Sequence, residues 1–210
     1  MQIVSVLLYK SEHDIHILQH DRYWAYFMTI SRQALFGKLG GTLFISIESA
    51  ADFCKLRGHP HVDLAHWLHQ LLQLPDSDLH RILRHAGVDR ALLDRDIARA
   101  LTALPRGSTS VGDFSPHLQS GIERAWVLAT LTFSDRRIRS AWLIAALIKT
   151  PELRRVLLDI SSSLRTIPVD GLEHHLPLWI ASSPEADEPH CADTAFSRDR
   201  CAAACARCLT

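Results

Sequence analysis

The hydrophobic residues between Val62 and Leu104 recur every three to four positions, which is the period of an amphipathic α-helix. Breaks in this pattern divide the segment into three short helices. Pro75 ends the first, Gly87 stands where a left-handed cap would end the second, and Asp89 precedes the third as its N-cap. The three apolar stripes are Leu64, Trp67, Leu68, Leu71 and Leu72; Leu79, Ile82 and Leu83; and Leu92, Leu93, Ile97, Leu101 and Leu104.

Helical patterns also cover the chain on both sides of this segment. A first helix is predicted over Ile30–Leu39. After a polar linker, Ser115 followed by Pro116 is typical of a helix start, with serine as N-cap and proline at the first helical position. The later run SAWLIAALI is apolar all round and predicts a buried helix. A last helix is predicted over Asp170–Trp179, opened by a capping box of its first residue with Glu173. The prediction is an all-α fold.

The two halves of the helical region can be laid over each other. Val62 corresponds to Ile138, and Pro75 corresponds to Pro151. Repetition at a period of about 75 residues indicates that a four-helix unit has been duplicated, with repeats at roughly residues 46–104 and 115–180. The other matched positions are Ala65 with Ala141, Leu68 with Ile144, Leu71 with Leu147, Leu72 with Ile148, and Val88-Asp89 with Val169-Asp170.

Composition and charge narrow the possible partners. The 210 residues are 47% apolar and 22% charged, which is ordinary for one globular domain with tails. The 23 basic and 23 acidic side chains balance, so we expect neither nucleic-acid nor membrane binding. Helical arginines such as Arg154 and Arg155 are more typical of a solvated face than of a nucleic-acid site. The longest apolar run, Ala141–Ile148, is far shorter than the ~20 residues of a membrane span, and no signal-peptide pattern is present, so we expect a cytoplasmic protein.

The histidines and cysteines do not indicate a metal site or a reactive thiol. His13 and His16 with Asp14 sketch a metal site but lack a further ligand, and Cys54 lies on a helical core stripe as a small apolar residue. The C-terminal cysteines lack the paired spacing of zinc sites, so we expect no metal and no cofactor. Those C-terminal candidates are His190, Cys191, Cys201, Cys205 and Cys208.

Nucleotide hydrolysis is also not expected. The chain has no G-x-x-x-x-G-K-[ST] loop to cradle phosphates, and its sole Gly-Lys pair, Gly37-Lys38, is followed by Leu39 inside a predicted helix. No other arrangement of nucleophile and base suggests an enzyme. The expectation is therefore a protein without catalysis of its own.

Several segments together resemble the N-terminal (Clp N) domain of the Clp/Hsp100 AAA+ ATPases, and most closely its ClpV branch from type VI secretion. The resemblance covers roughly residues 30–180 and is specific as a set. The segments are ALFGKL, ESAADFC, HWLHQLLQLPDSDLHRILRHAGVD, SPHL, RIRSAWLIAALIKTPELRRVLLDIS and IPVD.

This resemblance implies a pseudo-two-fold helical repeat with an extra N-terminal helix, which here would be Ile30–Leu39. In the ClpV branch that helix helps to form a groove for a helix of the contractile-sheath subunit, VipB or TssC. By resemblance, Leu35, Phe36 and Leu39 are the candidate peptide-binding residues of the groove wall. The alternative is that these three only pack the helix onto its own domain. Other Clp subunits are further implied partners.

The resemblance also sets the expected domain organisation. Residues 28–182 would be the Clp N-like domain, residues 1–27 an unassigned extension, and residues 183–210 a disordered tail that contains cysteines. Without ATPase modules, three interpretations stay open. They are a substrate-recognition domain for a ClpV-type unfoldase, a truncated or frame-shifted remnant without function, and a general Clp-type protein-interaction domain.

One local departure concerns the start of the second helix. Gly40-Gly41 stands where the family usually has Asn-Pro, so this helix would lack its N-cap and its first-turn proline. Leu43, Phe44 and Ile45 follow where polar residues are usual, which predicts exposed apolar surface.

Overall fold

The computed structural model describes residues 31–108 and 113–188, and its helices belong to one compact unit that begins at Arg32. Within those residues there are only helices, turns and two isolated β-bridges, and this confirms the all-α prediction. The α-helices are α1 (Arg32–Phe36), α2 (Gly41–Arg57), α3 (Leu64–Leu71), α4 (Asp78–His85), α5 (Arg90–Ala103), α6 (Pro116–Leu131), α7 (Ser140–Lys149), α8 (Pro151–Ile160) and α9 (Leu172–Trp179), with short 3₁₀ helices at Ser162–Thr166 and Pro184–Ala186.

The core is built around α7. Every residue from Ser140 to Ile148 is buried, as the uniformly apolar sequence predicts, and α6 and α8 pack against this helix. The approach of α6 requires a glycine, because a Cβ atom at Gly121 would lie 3.0 Å from Cδ2 of Leu147. Buried side chains from both repeats form one continuous core.

Most of the predicted helix boundaries are present. The Asp89 carboxylate accepts the N–H of Leu92 at 3.1 Å, and Ser115 accepts the N–H of Leu118 at 3.3 Å. Gly87 has the left-handed conformation (φ 66°) that the end of α4 requires.

The predicted capping box of the last helix is wrong. Helix α9 begins at Leu172 after Gly171, whose φ is 69°, and no side chain caps it. The positive φ turns the chain between Asp170 and the helix. Glu173 instead accepts from Lys149 at 2.7 Å, so its carboxylate is used in an ion pair rather than in a cap.

The first helix is shorter than predicted. It ends at Phe36, and the next residues turn to form a parallel bridge between Leu39 and Ile138. In this bridge, Ile138 donates its N–H to the carbonyl of Lys38 at 2.7 Å and accepts the N–H of Gly40 at 2.9 Å. The backbone pairing replaces the last helical turn.

The same bridge occurs once more with the roles of the two repeats exchanged. Val62 donates its N–H to the carbonyl of Asp113 at 3.3 Å and accepts the N–H of Ser115 at 2.8 Å, which pairs Val62 with Phe114. Each bridge thus joins the start of the first helix of one repeat to the start of the second helix of the other. This reciprocity is the pseudo-two-fold relationship that the duplication predicts.

The segment Ser183–Glu188 corrects the expectation of a disordered tail that begins at residue 183. It forms a 3₁₀ turn, and Glu185 is only 1% exposed. The sequence suggested disorder because this segment has no apolar face. The segment is instead held by hydrogen bonds that its carboxylates accept from backbone N–H groups at helix N-termini, as described below. We call Ser183–Glu188 the clasp.

Several predictions lie outside the described residues. They concern residues 1–27, with the His13, Asp14 and His16 metal interpretation, and residues 189–210, with His190 and the C-terminal cysteines. Within the described ranges, no helix is long and apolar enough to cross a membrane.

Candidate functional site

Helix α1 is attached to α6 and to the linker before it. The ring of Phe36 stacks on that of Phe114 with centroids 5.3 Å apart. Arg32 donates to the carboxylate of Asp113 at 2.6 Å and to the side-chain oxygen of Gln119 at 3.2 Å. The five-residue helix therefore has one apolar and one charged attachment, and the bridge at Leu39 closes its C-terminal side.

Of the three residues predicted for the groove wall, Leu35 and Phe36 lie on the inner side of α1, and Leu39 lies in the bridge that follows it. Leu35, Phe36 and Leu39 are 4%, 3% and 0% exposed, and all three join the hydrophobic core. The structure thus brings them together and uses them to hold α1 to its own domain. Almost none of their surface faces solvent. Their direct contact with a peptide stays a prediction.

Two large apolar side chains of α6 face solvent. Val127 and Leu131 are four residues apart on this helix and are 47% and 80% exposed. Trp126, which directly precedes Val127, is half-buried, and the ammonium of Lys38 lies 5.5 Å from its ring centroid. We call this surface, made of Lys38, Trp126, Val127 and Leu131, the α1–α6 face.

Sequence reasoning missed Val127 and Leu131. The inner stripe of α6 includes Leu118, Ile122 and Ala129, and Val127 and Leu131 both fall outside it. Large apolar residues off the buried stripe of an amphipathic helix were the available signal.

The other exposed large apolar residues in the described part of the chain have no second such residue within one helical turn. Ile45 and Leu56 lie on α2 and Leu178 lies on α9. The apolar surface expected after Gly40-Gly41 is thus reduced to Ile45, because Leu43 and Phe44 are buried. Helix α6 alone among the described helices exposes two such side chains one turn apart, which distinguishes the α1–α6 face.

A buried histidine pair stabilises the turn before α3. Nδ1 of His66 accepts the N–H of Asp63 at 3.0 Å, so Nε2 of His66 carries the proton and donates to Nδ1 of His59 at 2.7 Å. Burial, with the neighbouring His59 as the next cause, lowers the pKa of His66 to about 4. Cys54 donates to the carbonyl of His61 at 3.2 Å and is fully buried, consistent with a packing role.

A second buried polar cluster joins the clasp to α4 and α7. The carboxylate of Glu185 accepts the N–H of Asp78 at 2.7 Å and the N–H of Ser140 at 2.8 Å, which are the first residues of these two helices. Burial, together with the charge of Asp78, raises the pKa of Glu185 to about 7. The cluster is buried and holds the N-termini of α4 and α7 to the clasp, so its role is structural.

Comparison with known proteins identifies the domain. The sequence pattern of the Clp repeat (R) N-terminal domain matches residues 42–160. The AAA+ ATPase ClpV1 of Pseudomonas aeruginosa is 47% identical over 156 residues, which are 74% of this chain and 17% of that protein. This chain therefore spans 17% of the length of that relative.

Solved structures agree with this assignment. One, from work on the coevolution of the ATPase ClpV, the TssB-TssC sheath and the accessory HsiE protein, is 46% identical with a TM-score of 0.73, and the match covers 76% of this chain and 99% of that one. A complex of a ClpV N-domain with a VipB peptide is 27% identical with a TM-score of 0.65, covering 75% of this chain and 96% of that one. The chain belongs to the Clp repeat N-terminal domain family, and it matches the ClpV members of that family.

Proposed function

We propose that this chain is the substrate-recognition domain of a ClpV-type unfoldase of type VI secretion, and that it binds an amphipathic helix of the contractile-sheath subunit. The supporting observation is the α1–α6 face, with exposed apolar residues on the helix that α1 contacts, in a fold that resembles a ClpV N-domain bound to a VipB peptide. An amphipathic helix would bury its apolar side on Val127 and Leu131.

In this proposal the chain contributes binding and no catalysis, because its sequence has no phosphate-binding loop. Helix α1 is held to the core by Leu35, Phe36 and Leu39. In the proposed complex the peptide contacts residues on the solvent-facing side of the domain. We infer a cytoplasmic location from the relationship to ClpV.

The test is calorimetric titration of the purified protein with a synthetic N-terminal helix of a VipB-like sheath subunit. Leu131→Asp and Val127→Asp should weaken binding at least about tenfold, since each puts a charge into the apolar contact. Leu56→Asp and Leu178→Asp are controls, because these leucines lie on other helices and are about as exposed as Leu131. They should bind like the parent protein.

Two results would contradict the proposal. One is the absence of saturable binding by a protein that circular dichroism shows to be folded. The other is an equal loss of affinity in all four variants, which would mean that the α1–α6 face is not the contact surface. Binding of unrelated amphipathic helices with the same affinity would favour a general Clp-type interaction domain instead.

A further inference from the structure

Helix α2 receives its N-terminal cap from the clasp. Its N-cap residue, Gly40, has no side chain to accept a hydrogen bond. Glu188 supplies the missing acceptor, since one carboxylate oxygen accepts the N–H of Thr42 at 2.8 Å and the other accepts the hydroxyl of Thr42. A carboxylate at this position also interacts favourably with the positive end of the helix dipole. The clasp thus replaces the cap that the Gly-Gly sequence lacks.

The clasp is fastened beside the bridge that seats α1. Arg137 donates to the carbonyl of Ala186 at 2.6 Å and to the carbonyl of Glu188. The next residue, Ile138, pairs with Leu39, and Gly40 donates to its carbonyl. Both segments of the bridge are therefore in contact with the clasp. The Ile138 segment contacts it through Arg137, and the Leu39 segment contacts it through the start of α2.

We propose that Glu188 is a positioning residue for the α1–α6 face: by capping α2 it holds the Leu39–Ile138 bridge, and the bridge holds α1 and Lys38 beside Trp126. This inference rests on the proposed function for its binding readout. It means that the clasp is coupled to the peptide surface. Loosening of the clasp weakens peptide binding without unfolding the domain.

The first test is the affinity of Glu188→Ala for the VipB-like helix. Loss of a helix cap shifts an equilibrium about three- to tenfold, and we expect the Kd to rise by that factor. Asp187→Ala is the matched control, because Asp187 is exposed and uses only its backbone N–H within the clasp. It should bind like the parent protein.

The second test restores the cap locally. Gly40 has φ −66° and ψ 157°, which other residues adopt easily, and a Cβ atom there would meet only ordinary contacts at 3.5 Å. Gly40→Asn in the Glu188→Ala background supplies a side-chain oxygen at the N-cap of α2. The double variant should recover the affinity of the parent protein. A general loss of stability would not be repaired in this way.

Hydrogen exchange of the full chain provides a readout that does not need the peptide. In Glu188→Ala the amides of Thr42, Gly40 and Ile138 should exchange faster, while the core amides of α7 keep their protection. Unchanged exchange at these three amides would overturn the coupling, as would unchanged peptide affinity in a binding-competent parent protein. If the parent protein does not bind while exchange responds as expected, the proposed function fails and the coupling within the domain stands.

Discussion

Arg139 and Asp78 form a bidentate ion pair that joins the two repeats. Both nitrogen–oxygen distances are 2.8 Å, and both side chains are buried. Asp78 is the first residue of α4 in the first repeat, and Arg139 directly precedes α7 in the second. The pair therefore fixes the distance between the starts of two helices that belong to different halves of the duplication.

Removing one partner of this pair should be costly. Arg139→Met leaves the carboxylate of Asp78 buried beside Glu185 without its cation, and we expect a loss of about 3–5 kcal/mol in the free energy of unfolding. Urea denaturation measures it. Arg136→Met, at an exposed position three residues before the N-cap of α7, is the control and should change stability by less than about 0.5 kcal/mol. A loss below 1 kcal/mol for Arg139→Met, as an order-of-magnitude threshold, would mean that the pair is dispensable.

The core role of Leu39 is testable against the exposed Leu131. Leu39→Ala removes a fully buried side chain at the bridge and should cost about 2–5 kcal/mol. Leu131→Ala removes a side chain that is 80% exposed and should leave the stability of the free protein unchanged. Both values come from chemical denaturation without peptide. Equal effects of the two substitutions would be inconsistent with the burial described above.

The histidine pair predicts a loss of stability in acid. The pKa of His66 is about 4 in the folded protein and 6.5 as its ordinary value, so between these values the unfolded chain binds more protons. Stability from this group is complete above pH 6.5 and is lost as the pH falls to 4, by up to about 3 kcal/mol.

This loss is measured by denaturation between pH 7 and pH 4 in His66→Gln, whose side-chain oxygen still accepts the N–H of Asp63. We expect a smaller decrease in this variant than in the parent protein. His117→Gln, at an exposed position of α6, should keep the full decrease. An identical pH dependence of all three proteins would exclude His66 as the cause.

Glu185 predicts the opposite slope. Its folded-state pKa of about 7 lies above its ordinary 4.5, so the folded protein binds more protons in this window and gains stability as the pH falls from 7 to 4.5. Glu185→Gln removes this contribution. The parent protein should therefore become more stable relative to Glu185→Gln on going from pH 7.5 to pH 5, in a denaturation series. Glu152→Gln, exposed at the start of α8, should show no such change.

Periodicity was sufficient for most of the fold. Asp89, Ser115 and Gly87 were assigned their helix-end roles correctly because capping depends on residues within a few positions of each other. Glu185 and Glu188 could not be found in this way, since they cap helices that lie far away along the chain. Thr42 and Glu188 are 146 positions apart, and no local pattern connects them.

The candidate site shows the same limit. The predicted stripe of α1 places Leu35 and Phe36 on one side, and the structure shows that this side faces inward; Leu39 is also buried, but in the bridge after the helix. Periodicity identifies which residues share a face, whereas which face meets solvent depends on the helix that packs against it. Here that helix is α6, which contacts α1.

The distant capping by the clasp also has a consequence for the order of events during synthesis. Helices α2, α4 and α7 leave the ribosome before the glutamates that accept their first N–H groups, and for α2 the delay is 146 residues. Until Glu185 and Glu188 emerge, the nascent domain lacks the hydrogen bonds that these carboxylates accept at the starts of the three helices. The capping of α2 is therefore completed only after the chain has been synthesised as far as residue 188.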